Sequence, residues 1–458
     1  MNRRASVLAV ALALVATPTL AEAQDQPWLK DRRYTEGIGY RVGDLEIHPG
    51  IAGEFGYDSN YLHRASTEDP LGSLRLRITP SLSLSTLSKE RREAISGSTP
   101  PDFEFRSGIS ATYNEFIPVS GVGSDVLRQQ RNLGGNLDVA LNILPQRPWS
   151  GTVAGGVTRV ISPSPSGLDD IPGTGLSTAG FNRILPRAGA ELAWMPGSGL
   201  FDWRLGYQFT GTFFENSKIS RLDNIQNRIE TRGRWRFLPR TALMYDGKFD
   251  FITYPTTNGG NSEKSGAHPV RALIGLNGLV SSSFSLLALV GWGASFYTSP
   301  SGSANVEDFN SVIGQIEAKW YITPNASSDP AGVGLALSSL SVGFNRDFFD
   351  SFIGSYAERD RVYANLSYFF GGRFFFLLEG GVAPTIYPKI QSLNLAPFTD
   401  IRIDATLFGE YRLQNTFGIN TTIRYNQNIS STKIQTDQGP DDLSWSQFEA
   451  YLGARWLM

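Results

Sequence analysis

The sequence has no cysteine, three histidines and four methionines in 458 residues, and its 41 Lys+Arg nearly cancel its 43 Asp+Glu. Each shortage removes a class of protein. Without cysteine there is no disulfide framework, no thiolate metal centre and no cysteine-borne lipid anchor. Three histidines leave little material for a zinc or iron site. A formal net charge of −2 lacks the basic excess of a nucleic-acid binder, so no nucleic-acid partner is expected. Long apolar runs are missing as well. Past the N-terminus no segment approaches the roughly 18 continuous apolar residues of a spanning helix. The strongest run, Leu286-Leu287-Ala288-Leu289-Val290, sits between Ser285 and Gly291. Glycine (48) and aromatic residues (12 %) are plentiful, yet the mean hydropathy is slightly negative at −0.18. At 41 % hydrophobic and 18 % charged the chain is not a disordered one. Many aromatics under a net polar average require a structural cause.

The N-terminus reads as an address. Arg3 and Arg4 precede an apolar stretch from Ala5 to Ala16, and Ala21-Glu22-Ala23 follows. A basic start, a short apolar centre and a small-x-small site form a secretory signal peptide, with cleavage expected before Gln24. The run is too short for a membrane anchor.

Downstream the hydrophobic period is two. In Leu74-Arg75-Leu76-Arg77-Ile78-Thr79-Pro80-Ser81-Leu82-Ser83-Leu84-Ser85, even positions are apolar or proline and odd positions polar. A strand sends these two sets to opposite faces. The pattern returns in Ile401-Arg402-Ile403-Asp404-Ala405-Thr406-Leu407, in Trp203–Phe209 and in Phe417–Tyr425. Marking every such stretch predicts about eighteen strands: 46–58, 72–87, 102–116, 131–144, 149–160, 181–195, 200–214, 224–237, 241–254, 269–280, 284–297, 309–323, 333–346, 359–370, 374–387, 399–412, 416–429 and 443–458.

Short turns near 145–148, 196–199, 238–240, 281–283, 371–373 and 413–415 alternate with longer polar loops, residues 88–101 being the main exception. Short turns at one end and long loops at the other are how outer-membrane barrels are built. Trp149, Trp194, Trp203, Trp235, Trp292, Trp320, Trp445 and Trp456 near strand ends suit the aromatic girdles of such a barrel. The expected fold is all-β: a transmembrane antiparallel outer-membrane β-barrel of about 18 strands. Its expected parts are a signal peptide (1–23), a short periplasmic segment (24–45) and a single barrel domain (46–458). The location that follows is the outer membrane, with its lipid as the first partner.

One hairpin fixes its own register. With Leu238-Pro239-Arg240 as the turn, Arg232 opposes Asp246, Glu230 opposes Lys248 and Arg228 opposes Asp250. Sliding by two residues sets like charges against each other, which destabilises a sheet. Together with Arg75, Arg77, Glu104, Arg106, Arg234, Arg236, Asp400, Arg402 and Asp404, these residues are the candidates for the lumen face. No catalytic, cofactor or metal residue is assigned. His48 is expected to face the lumen, and His63 and His268 to lie in outer loops, with no local signature of a nucleophile. Gly332-Val333-Gly334 lacks the βαβ setting of a dinucleotide site. Asp169-Asp170 and Asp441-Asp442 read as solvated loop tips. Residues 161–180, rich in Pro and Gly, are the candidate for a loop folded into the lumen.

Two ends of the chain carry a resemblance. The final strand places Phe448, Ala450, Leu452, Ala454, Trp456 and Met458 on one face. It resembles the signal read by the barrel assembly machinery, although that pattern ends in Phe or Trp rather than Met. Tyr40 to Ile51 lead to Gly56-Tyr57-Asp58-Ser59-Asn60, and the next strand carries Pro80. This resembles the opening of the β-barrel porin 2 family. The resemblance implies export of an exopolysaccharide through the barrel, with a separate periplasmic polysaccharide-export protein as partner and no enzymatic activity. The alternatives from the residues themselves are a general diffusion porin for small polar solutes and, ranked lower, a barrel enzyme using His48.

Overall fold

The computed structural model describes residues 39–65, 70–86, 101–119, 127, 132–145, 147–161, 182–197, 199–255, 264–298, 308–322, 338–351, 354–390, 395–414, 416–436 and 439–458. The expected signal peptide, most of the segment 24–45, nearly all of the exception at 88–101, nearly all of the candidate lumen loop 161–180 and Gly332-Val333-Gly334 lie outside the described residues.

The wall is built from β2 (Leu45–Asp58), β3 (Ser73–Thr86), β4 (Phe103–Pro118), β5 (Asn132–Ile143), β6 (Trp149–Val160), β7 (Arg183–Trp194), β8 (Phe201–Phe214), β9 (Asn224–Leu238) and β10 (Thr241–Thr253). It continues through β11 (Gly266–Ser281), β12 (Phe284–Thr298), β13 (Phe309–Tyr321), β14 (Ser339–Asp350), β15 (Tyr356–Phe370), β16 (Phe374–Tyr387), β17 (Phe398–Gln414) and β18 (Phe417–Ser430), and ends with β21 (Trp445–Leu457). Each strand pairs antiparallel with the next, and β18 pairs with β21. β2 then pairs with β21 from Gly50↔Leu457 to Asp58↔Glu449. β2 to β18 plus β21 make eighteen strands in a closed ring. Closure leaves no sheet edge, the condition for a β-structure to cross hydrocarbon.

Alternation decides the faces. Ile51, Phe55, Ile78 and Leu82 are exposed, whereas Glu54, Arg75, Arg77 and Thr79 on the same two strands are buried. The exposed set is the apolar band that lipid covers. At the short-turn end it ends in a ring of large side chains: Trp149, Trp235, Trp320, Phe370, Phe374, Tyr411, Phe417 and Trp456, all exposed. Trp149 stacks on Trp194 with centroids 5.9 Å apart. Trp445 departs from the girdle expectation. It sits where β21 begins at the long-loop end, stacked on His63 at 3.9 Å.

Three small elements go beyond the expected pattern. β1 (Tyr40–Val42) folds back on the start of β2, Tyr40↔Ile47 to Val42↔Leu45, around Gly43 at φ +63°, a value glycine adopts without strain. β19 (Lys433–Thr436) and β20 (Gly439–Asp442) form a hairpin inside the loop before β21. At the short-turn end Met458 N donates to Pro49 O at 3.0 Å, and His48 Nδ1 lies 3.0 Å from Met458 O. His48 thereby ties the first barrel strand to the last residue.

The wall splits in one place. β14 pairs with β13 only as far as Gly314↔Arg346, while its continuation to Asp350 stays on β15. Phe348 turns into this gap and stacks on Phe309 at 4.2 Å, beside Ile313. Arg346 closes the split, with Nε donating to Val312 O at 3.0 Å and Nη1 3.1 Å from Asp360. β14 was expected at 333–346, of which 333–337 lie outside the described residues; it runs past Arg346 to Asp350 because the ladder to β15 continues there.

Candidate channel interior

Every lumen-face candidate lies on a barrel strand, on the parity opposite the exposed apolar residues. Arg75 and Arg77 are on β3, Glu104 and Arg106 on β4, and Arg228, Glu230, Arg232, Arg234 and Arg236 on β9. Asp246, Lys248 and Asp250 are on β10, and Asp400, Arg402 and Asp404 on β17. The β9–β10 register is Arg228↔Asp250, Glu230↔Lys248 and Arg232↔Asp246, the arrangement that charge alone selects. The side chains lean further than the backbone register implies. Arg228 meets Asp250 at 2.6 Å, but Arg232 reaches back to Glu191 on β7 at 2.6 Å and Lys248 turns to Asp246 at 3.2 Å. Arg204 bridges Glu191 and Asp202, and Arg234 reaches Asp202 at 3.3 Å. In this wall Glu191, Asp202 and Asp250 each serve basic side chains on two strands.

The seam where the ring closes is more tightly bonded. Arg75 Nη1 donates to Asp58 Oδ2 at 3.0 Å, Glu449 Oε1 at 3.1 Å and Tyr451 Oη at 3.0 Å. Arg77 pairs with Glu54 at 2.9 Å, and Arg424 approaches Glu449 to 3.7 Å. Arg455 pairs with Glu410. Sequence reasoning identified Arg75 and Arg77 but not Asp58, Glu54, Glu410 or Glu449. The signal was present, since each of these acids occupies the polar parity of its own strand. Asp58 and Glu54 meet arginines of the next strand, whereas Glu449 meets Arg75 from the opposite end of the chain.

Loops fold over the long-loop end. Asn60 Nδ2 donates to Arg64 O at 2.8 Å and to Ser446 O at 3.0 Å, which draws loop 59–65 across the seam. Tyr61, Leu62, Leu71, Phe116 and Leu127 make a buried apolar cluster there. On the opposite side Lys264 Nζ donates to Ser351 O and, at 2.7 Å, to Gly354 O, with Asp350 at 3.4 Å. The Tyr254 hydroxyl donates to Asp350, and burial pushes its phenol well above the usual range. A third cluster joins Tyr387, Ile390, Phe398 and Leu443.

No family model and no curated protein matches the sequence. Solved structures do resemble its fold. OccK9 (OpdG) of Pseudomonas aeruginosa is 10% identical, with a TM-score of 0.47 over 92% of this chain and 100% of its own. A BenF-like porin from Pseudomonas fluorescens Pf-5 is also 10% identical, with a TM-score of 0.46 over 91% of this chain and 100% of its own. A bacterial polysaccharide outer membrane secretin scores 0.33 at 9% identity, over 91% of this chain and 99% of its own. Likeness at this level concerns architecture alone. The barrel rests on its own pairing.

The histidines fall in three settings, none shared. His48 bonds at the short-turn end as described, 3.5 Å from Glu46. His268 lies inside β11, not in the loop expected for it, opposite Phe296 and edge-on to Phe251. The strand starts earlier than the expected 269 and tolerates Pro269 where the β10 ladder skips between Phe249↔Val270 and Ile252↔Ala267. His63 lies in the loop after β2, with Nε2 3.2 Å from Gln447 Oε1. Among the described residues no group of three or more His, Asp or Glu gathers as a metal site.

His63 gives a pH prediction. Burial, aided by the Arg402 charge and opposed by the Gln447 bond and Glu449, lowers its imidazole from 6.5 to about 4. The unfolded chain therefore binds more protons than the folded one between these values. The resulting stability is complete above pH 6.5 and is lost as pH falls through 4. Its scale is about 3 kcal/mol. The melting-temperature difference between wild type and His63→Gln is expected to be constant above pH 7 and to shrink towards pH 4. A difference that grows on acidification contradicts this placement of His63.

Proposed function

We propose that the chain forms a passive outer-membrane channel for small polar solutes. The observation that carries this reading is the contrast between the two faces of a closed eighteen-stranded ring. The outer face carries a continuous apolar band, whereas charged side chains recur on the inner parity of β2–β4, β7–β11, β15, β17, β18 and β21. A ring of this strand number is wide enough for an aqueous path. Its charges are held largely as paired ladders, which stiffen the wall while leaving a polar surface for water and solute.

A gene deletion separates this from polysaccharide export. Loss of small-solute uptake with surface polysaccharide unchanged is the expected result. Loss of surface polysaccharide with uptake intact assigns the barrel to export and overturns the reading.

A further inference from the structure

Most inward arginines have carboxylate partners, but Arg359 and Arg402 do not. Among the described residues neither has a carboxylate within ion-pair distance. Resting on the channel reading above, we propose that Arg359 and Arg402 form an oxyanion subsite on the β15–β17 wall. It would engage solutes bearing a carboxylate or phosphate group.

The register builds the site. Arg359 on β15 opposes Thr385 on β16, which opposes Asp400 on β17. One step along, Arg402 opposes Ala383, and a further step sets Asp404 opposite Gly381. Between Glu379 and Tyr387 the inner face of the intervening strand carries Gly381, Ala383 and Thr385, a floor of small side chains. The two flanking strands lie about 9–10 Å apart, twice the spacing of paired strands. That width admits one oxyanion between guanidinium groups reaching in from both sides.

The charges around this trough are unequally engaged. Arg361 crosses over Gly381, where an added Cβ would strike its guanidinium, and bonds Asp404 at 2.7 Å. Asp347 is held by Arg271 at 2.9 Å. Asp400 is buried and accepts from Asn428 Nδ2 at 3.3 Å. Arg359 is left with only the face of Phe349, 5.6 Å from its guanidinium carbon. Its like-charged neighbours are Arg361 and Arg402. Cations crowded together without a carboxylate of their own are a standing attraction for a mobile anion, and rings of Arg serve anion pores in this way. Arginine also offers a planar fork that matches carboxylate and phosphate.

The test uses the full-length protein in planar bilayers under a KCl gradient, with inorganic phosphate and acetate as probes. Wild type is expected to prefer chloride over potassium, and added phosphate or acetate to reduce the chloride current. In the double variant Arg359→Gln/Arg402→Gln the chloride-to-potassium permeability ratio is expected to fall at least about threefold, and block by both probes to disappear. Arg359→Lys/Arg402→Lys should retain the preference but weaken the block. Heat-modifiable migration reports that the variants are folded. Equal selectivity and equal block in wild type and the Gln variant overturn the subsite while leaving the channel standing. Absence of channel steps in wild type overturns the channel reading and the subsite with it.

Discussion

Replacing Arg75 with methionine is expected to lower the unfolding free energy by about 3–5 kcal/mol, the usual cost of stranding a buried charge. Methionine fills much of the same volume, so the loss comes from charge and hydrogen bonding. In wild type one guanidinium nitrogen serves Asp58, Glu449 and Tyr451, and the other lies 3.4 Å from Asn114. The guanidinium carbon stands 4.8 Å from the ring centre of Tyr61 and 4.9 Å from that of Phe116. Without it two buried carboxylates face each other across the closing seam. Arg424, at 3.7 Å from Glu449, and the charge of Arg77 remain nearby. The same substitution also loosens loop 59–65, because Tyr61 loses the cation that it covers. Urea titration in detergent micelles, followed by tryptophan fluorescence, measures the loss. Adding Asp58→Asn to Arg75→Met should recover part of it. A variant as stable as wild type would show that the seam does not depend on this network.

Placing arginine on the other face should be comparably damaging for a different reason. Val290 is outward, 59% exposed, at the middle of β12. In a bilayer that exposure is to hydrocarbon, so Val290→Arg is expected to cost about 2–4 kcal/mol. On the inward face of β17 the conservative change Thr406→Asn should stay within about 0.5 kcal/mol. The comparison must be made in lipid vesicles, where depth within the membrane is defined. Equal, small effects at both positions would contradict the assignment of faces.

Much of the barrel was legible because its code is short-range. A period of two needs no partner strand to be read, and windows such as 74–85 and 401–407 displayed both faces directly. The β9–β10 register was legible for the same reason, since its turn and three charge pairs lie within one stretch of chain. What stayed hidden depends on distance in sequence. Asp58 and Glu449 meet at Arg75 only after the ring has closed. The end of β14 stayed hidden because its last residues are held only by the ladder to β15, through Phe349↔Ala357 and Asp350↔Tyr356. Trp445 looked like a girdle residue until loop 59–65 placed His63 on it. The trough between Arg359 and Arg402 needed two registers at once, and the small size of Thr385, Ala383 and Gly381 had no meaning until those three strands were aligned.

The measurement closest to the central claim is single-channel recording of the purified wild-type protein in a planar bilayer. A closed ring with a wet, charged interior predicts discrete current steps of uniform size, steady at low voltage. Insertion without any increase in conductance would contradict a continuous aqueous path through the barrel.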